Sequence, residues 1–144
     1  MKPLETLVLV ANEREARLLV NAGPNKGLTE ITRFDTTHKT EYSDRRGREQ
    51  AGPNAGRHAM EPPTSLREQN RESFAEDVLA IASEHWDRGS YARFVMCAPP
   101  KMLGELRGRI GGPLKQALAA DLDKDIVGVA AEDLPRHFED TILF

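Results

Sequence analysis

Cysteine is almost missing from this chain: Cys97 stands alone, so no internal disulfide can form. It lies in the apolar run Phe94-Val95-Met96-Cys97-Ala98, where a thiol packs as a small hydrophobe; a nucleophile would want an accessible, electropositive setting. Aromatics are scarce at 6%, with a single Trp, so the core must be mainly aliphatic. No stretch approaches the roughly 18–20 apolar residues of a membrane span. Met1-Lys2-Pro3-Leu4-Glu5 lacks the apolar core of a signal peptide, so a cytoplasmic protein without a membrane partner is expected. An excess of positive charge is lacking too. Net charge is −3 and the pI is about 5.8, so any contact with nucleic acid must be local. His38, His58, His85 and His137 show no metal-ligand spacing, and neither a metal nor a cofactor is expected.

What is present suits one domain. The chain has 144 residues, 39% of them hydrophobic and 30% charged, as in a globular fold with a large polar loop or two. Residues 4–11 (L-E-T-L-V-L-V-A) predict a strand buried on both faces. Asn12-Glu13 makes a hairpin-length break before a second strand at 14–21; an amphipathic helix at 12–20 competes with that reading. Gly23-Pro24-Asn25-Lys26-Gly27 is a turn, and 28–34 (L-T-E-I-T-R-F) predicts a third strand.

From Thr36 to Pro63 no period of 2 or 3.6 survives, and glycines and prolines recur. A loop this long far exceeds ordinary connections of about 4–6 residues, and such loops are functional or disordered. It is locally basic at Arg45, Arg46, Arg48 and Arg57, partly offset by Glu41, Asp44 and Glu49.

Order resumes at Ser65-Leu66-Arg67-Glu68, which reads as a capping box. The helix that follows carries Phe74, Val78, Ile81 and His85 on one stripe, with Ala75, Leu79, Ala82 and Trp86 beside it, and ends at Asp87-Arg88-Gly89. Residues 91–98 predict a central strand, stopped by Pro99-Pro100. A helix starts at Lys101, and Gly111-Gly112-Pro113 opens a shorter one with Leu114 and Leu118 inward. A polar strand near 120–128 and a final helix from about Glu132, with Leu134, Phe138 and Ile142, complete the reading. The order of elements predicts an α/β (α+β) domain: a mixed, about five-stranded sheet with helices on its faces.

Five stretches in order carry a resemblance: L-V-L-V-A-N-E-R-E-A-R at 7–17, G-P-N-K-G-L-T-E at 23–30, G-R-H-A-M-E-P at 56–62, F-V-M-C-A-P-P-K-M-L-G-E-L-R at 94–107 and L-D-K-D at 122–125. Together they resemble the bacterial family named for attachment to host cells. That family is similar in turn to the middle domain of archaeo-eukaryotic peptide chain release factors. The resemblance implies a single release-factor-like domain over 1–144, a ribonuclease-H-like sheet, and the long loop 36–63. It implies a ribosome or tRNA partner, because the release-factor loop carries a Gly-Gly-Gln that helps water hydrolyse peptidyl-tRNA. Here the loop has Gln50-Ala51-Gly52 and Asn54-Ala55-Gly56-Arg57-His58 instead, so Gln50 is not carried over from the resemblance as the catalytic residue, and a peptidyl-tRNA hydrolase-like or rescue activity stays an open reading.

The candidate site residues each have two readings. Gln50 is a solvated loop residue or a catalytic one; His58 is a surface strut or an acid–base group. Arg57 grips a phosphate or carboxylate, or pairs with Glu61. With Arg45, Arg46 and Arg48 it forms the expected RNA-binding set. Lys101, where a strand meets a helix, is a candidate anion contact or part of a structural turn. Asp123-Lys124-Asp125 reads as a solvated edge more readily than as a catalytic carboxylate pair. The expected function is a translation-associated factor acting through 36–63; the alternative is a non-catalytic protein-binding module that affects attachment indirectly.

Overall fold

A computed structural model of the protein describes residues 5–36, 64–142 and 144. The described elements are strands β1 (Thr6–Ala11), β2 (Glu15–Asn21) and β3 (Thr29–Asp35), helix α1 (Thr64–Arg88), strand β4 (Arg93–Ala98), helices α2 (Pro100–Arg109) and α3 (Gly112–Ala117), strand β5 (Leu118–Asp123) and the one-turn α4 (Leu134–His137). They form one five-stranded sheet in the order β3-β2-β1-β4-β5. β2 runs antiparallel to both β1 and β3, while β4 is parallel to β1 and to β5, so β2 alone is reversed. This is the mixed sheet expected, in a ribonuclease-H-like arrangement.

The local reasons are plain in the chain. Asn12 closes the β1–β2 turn: its Oδ1 accepts from the N–H groups of Arg14 and Glu15, each at 2.8 Å, and the chain turns back as a strand from Glu15 rather than as a helix over 12–20. In the turn at 23–27, Asn25 (φ 62°) and Gly27 (φ 73°) take left-handed backbone that glycine and asparagine tolerate best. At the end of α1 the Gly89 N–H reaches the His85 and Trp86 carbonyls, and a Cβ there would run into the Tyr91 ring.

Each face of the sheet has its own core. On one, Leu7, Leu9, Leu18, Phe94 and Met96 pack against Phe74, Val78 and Ala82 of α1 and Met102, Leu103 and Leu106 of α2. On the other, Val8, Val10, Leu19, Val95 and Cys97 pack against Ile126, Val127, Leu134, Phe138 and Phe144. Alternate residues of β1 feed alternate cores, which is why its apolar run is unbroken. The helices divide unevenly: α1, α2 and α3 cover the first face, and turns with α4 cover the second.

Four details differ from the sequence reading. α1 begins at Thr64, so Ser65 lies within its first turn rather than at the cap. Ile81, His85 and Trp86 are only partly buried, with Ile81 and Trp86 packed at the margin of the first core. The last strand starts earlier, at Leu118, and ends at Asp123, so Leu118 packs on the first core from a strand instead of a helix. The final helix stops at His137: Thr141 and Ile142 N–H groups both turn onto the Phe138 carbonyl, and the chain folds back so that Phe144 meets Phe138 edge-on, ring centroids 5.2 Å apart.

Candidate functional site

In open α/β sheets ligands collect outside the carboxyl ends of the parallel strands. Here that edge is formed by the ends of β1, β4 and β5, and the end of β3 lies beside them. The Thr36 N–H bonds the Arg14 carbonyl at 3.0 Å, which fixes the exit of β3 against the β1–β2 turn. Arg71, two turns into α1, bonds Glu13 Oε2 at 2.9 Å, which brings the start of the helix to the same turn. Phe34 and Phe74 meet edge-on behind it, centroids 6.3 Å apart. The segment between Thr36 and Thr64 is therefore attached at both ends to the carboxyl edge. Gln50, His58, Arg45, Arg46, Arg48 and Arg57 lie in it, outside the described residues, as does most of loop 36–63.

Lys101 is the described member of the candidate set. It is exposed in the first turn of α2, and among the described residues no hydrogen bond or ion pair engages it. The helix start is a weak anion cradle. Pro100 at its first position has no N–H to offer, no side chain caps it, and the Leu103 N–H is taken by the Pro99 carbonyl at 2.8 Å. The double proline thus sets the turn and leaves the Lys101 and Met102 N–H groups as donors.

Asp123-Lys124-Asp125 does more than solvate an edge. The Lys124 N–H extends the β4–β5 pairing to the Ala98 carbonyl at 3.1 Å, and its Nζ donates to the His137 carbonyl at 2.9 Å. The Cys97 thiol donates to the Lys124 carbonyl at 3.4 Å. Burial pushes that thiol up to about 12, as befits a structural thiol. Among the described residues no group of three or more His, Cys, Asp or Glu could hold a metal ion.

Sequence reasoning passed over Arg17. It is 1% exposed, pairs with Glu30 Oε1 at 2.7 Å, and donates through Nη1 to the carbonyls of Val127 (2.8 Å) and Val129. Nothing local marks it: in R-E-A-R-L-L-V-N it reads as a surface charge, and only the fold brings its partners to it. Its job is to bind the backbone of 127–129, a turn with few ladder bonds of its own, to the second face of the sheet.

Fold and edge define a ribonuclease-H-like domain whose carboxyl edge receives a long inserted segment. The chain belongs to the family described as protein required for attachment to host cells, whose sequence model matches residues 7–138. No curated protein matches it in sequence. Among solved structures it is similar to the archaeal translation termination factor aRF1, with a TM-score of 0.51 and 9% identity over 96% of this chain and 35% of that one. A second, the type II variant of the Aquifex aeolicus Ppx/GppA phosphatase, matches at a TM-score of 0.39 and 11% identity, over 83% of this chain and 35% of that one. The chain thus spans 35% of the length of either protein. The first likeness is one of fold alone, and the second carries no argument. No helix of the described residues is long and apolar enough to cross a membrane.

Proposed function

We propose that this protein is a translation-associated factor that contacts the ribosome or tRNA through residues 36–63. The supporting observation is the attachment of that segment: it leaves β3 and enters α1 at the carboxyl edge, on a fold shared with a domain-sized part of a translation termination factor. Arg45, Arg46, Arg48 and Arg57 would contact phosphates, and Lys101 would add a contact from α2. RNA of fixed shape is bound largely through its backbone. Gly-Gly-Gln is absent, so Gln50 and His58 are the candidate groups for any peptidyl-tRNA hydrolysis or rescue, and binding is tested before chemistry.

The test is co-sedimentation with ribosomes from the protein's own cells, beside a version lacking residues 44–58. The intact protein is expected to travel with ribosomes at low salt and to be lost steeply as salt rises; the deletion is expected not to travel. If neither travels at low salt, the reading fails. One observation favours a non-catalytic protein-binding module instead. At the edge the four cations Arg14, Arg71, Lys101 and Lys124 are matched in number by Glu13, Asp35, Asp123 and Asp125, so the described part of the edge carries no excess of positive charge.

A further inference from the structure

The outer side of α1 carries a line of carboxylates. Glu68, Glu72, Glu76 and Glu84 share one i, i+4 row, interrupted only by Ala80. Repeated like charge at this spacing disfavours a helix. The row has little compensation. Arg109 of α2 takes Glu76 at 2.9 Å, Glu105 at 3.3 Å and Glu72 at 3.6 Å, so three carboxylates share one guanidinium. Glu68 and Glu84 are exposed and engage no cation among the described residues.

Beside the row, where α1 passes the α2–α3 junction, lies an open groove of about 250 Å³. Leu79, Ala80, Ile110 and Leu114 line it, with Glu76 and Arg109 at its rim. The small side chain of Ala80 is what leaves the groove open at α1, and it faces outward rather than into the core. Glu76 lines the groove, and Glu84 lines an adjoining depression that shares Ala80 with it, two helical turns along the row, about 12 Å at 1.5 Å per residue.

We infer that this groove docks a basic amphipathic segment of a partner protein. One apolar side chain would enter over Ala80 between Leu79 and Ile110, flanked by Lys or Arg groups that meet the carboxylates of the row. Charge complementarity picks the occupant. The apolar lining calls for an apolar side chain, the acids of the row call for cations, and nucleic acid is repelled from this side of the helix. The inference stands apart from the RNA reading, because the groove lies well down α1 from the carboxyl edge.

The probe is a short amphipathic lysine–leucine peptide titrated into the isotopically labelled full chain. Saturable shifts are expected at the amides of Leu79, Ala80 and Ile110. Ala80→Trp, which fills the groove, should weaken binding about tenfold or more, and Glu84→Gln, which removes one charge of the row, by a few fold. Both positions are exposed, and a thermal melt confirms that the variants are folded. Unchanged affinity in Ala80→Trp overturns the inference. So does equal binding by a peptide with serines in place of the leucines or by spermine, which would make the site a general cation sink. Absence of shifts up to about 1 mM peptide also overturns it. Concentration-dependent self-association that Ala80→Trp abolishes would assign the groove to a second copy and overturn it as well. None of these results bears on ribosome co-sedimentation, so the two readings fail separately.

Discussion

Arg17 is among the largest fully buried side chains of the described residues, and its guanidinium bonds one carboxylate and two backbone carbonyls. Arg17→Met keeps most of the volume but leaves those carbonyls without a donor and Glu30 without its closest cation. The expected loss is about 2–4 kcal/mol, read as a lowered urea midpoint with an unchanged slope. At Cys97 the expectation is chemical. Burial holds the thiol neutral up to about 12, so it should resist iodoacetamide at mildly alkaline pH and react only after urea exposes it. Fast labelling of the native protein would contradict the buried geometry. The two residues differ in how far the chain foretold them. Cys97 sits in an apolar run, and burial follows from pattern. Arg17 looks like a surface charge until the partners 110 and 112 residues away are seen to meet it.

β5 shows how elements settle their boundaries. The run L-A-A-D-L-D has no strong strand signal, and it is drawn into the sheet by parallel pairing with β4 over Phe94–Ala98. Arg107 of α2 then holds it from the helix side, with Nη2 2.7 Å and Nε 3.1 Å from the two oxygens of Asp121. That hydrogen bond holds the Asp121 carboxyl below its usual range, with burial opposing. Glu30 on β3 is lowered likewise, chiefly by its hydrogen bond to Arg33 and then by Arg17. A depressed folded-state value means stability that is full above the ordinary carboxylate range and is lost as pH falls through the depressed value. Asp121→Asn should therefore flatten the acid side of the stability–pH curve, with little loss at neutral pH because the pair is screened by solvent. Urea midpoints from neutral pH downward check this, and an unchanged acid slope would count against the pairing. The C-terminal helix is the opposite case. Its apolar spacing suits a helix past His137, but the bond from the Gly27 N–H to the Phe144 main-chain oxygen (2.8 Å) and the Phe138–Phe144 contact pull the chain into turns.

Across the whole molecule, charge is arranged by place rather than by sum. The net value of −3 masks a carboxyl edge of matched charges and an acidic row on α1. If the edge works with residues 36–63 on RNA, Lys101→Ala should leave the urea midpoint unchanged, since the side chain is exposed. It should lower the slope of log affinity for ribosomes against log salt by about one phosphate contact. A slope equal to that of the intact chain would remove Lys101 from the interface.

The unbroken apolar runs at 7–11 and 94–98 were enough to foretell two-sided strands, and the Asn12, Gly23–Gly27 and Pro99-Pro100 breaks were enough to separate the elements. These are local properties: period, turn chemistry and a missing N–H act within a few residues of themselves. The strand order 3-2-1-4-5, the reversal of β2 alone, the buried clamp of Arg17, the groove over Ala80 and the early stop of the last helix belong to the folded molecule. Each depends on groups far apart in the chain whose meeting offsets the cost of burying a charge, leaving a gap or ending a helix early. No window of sequence contains both partners.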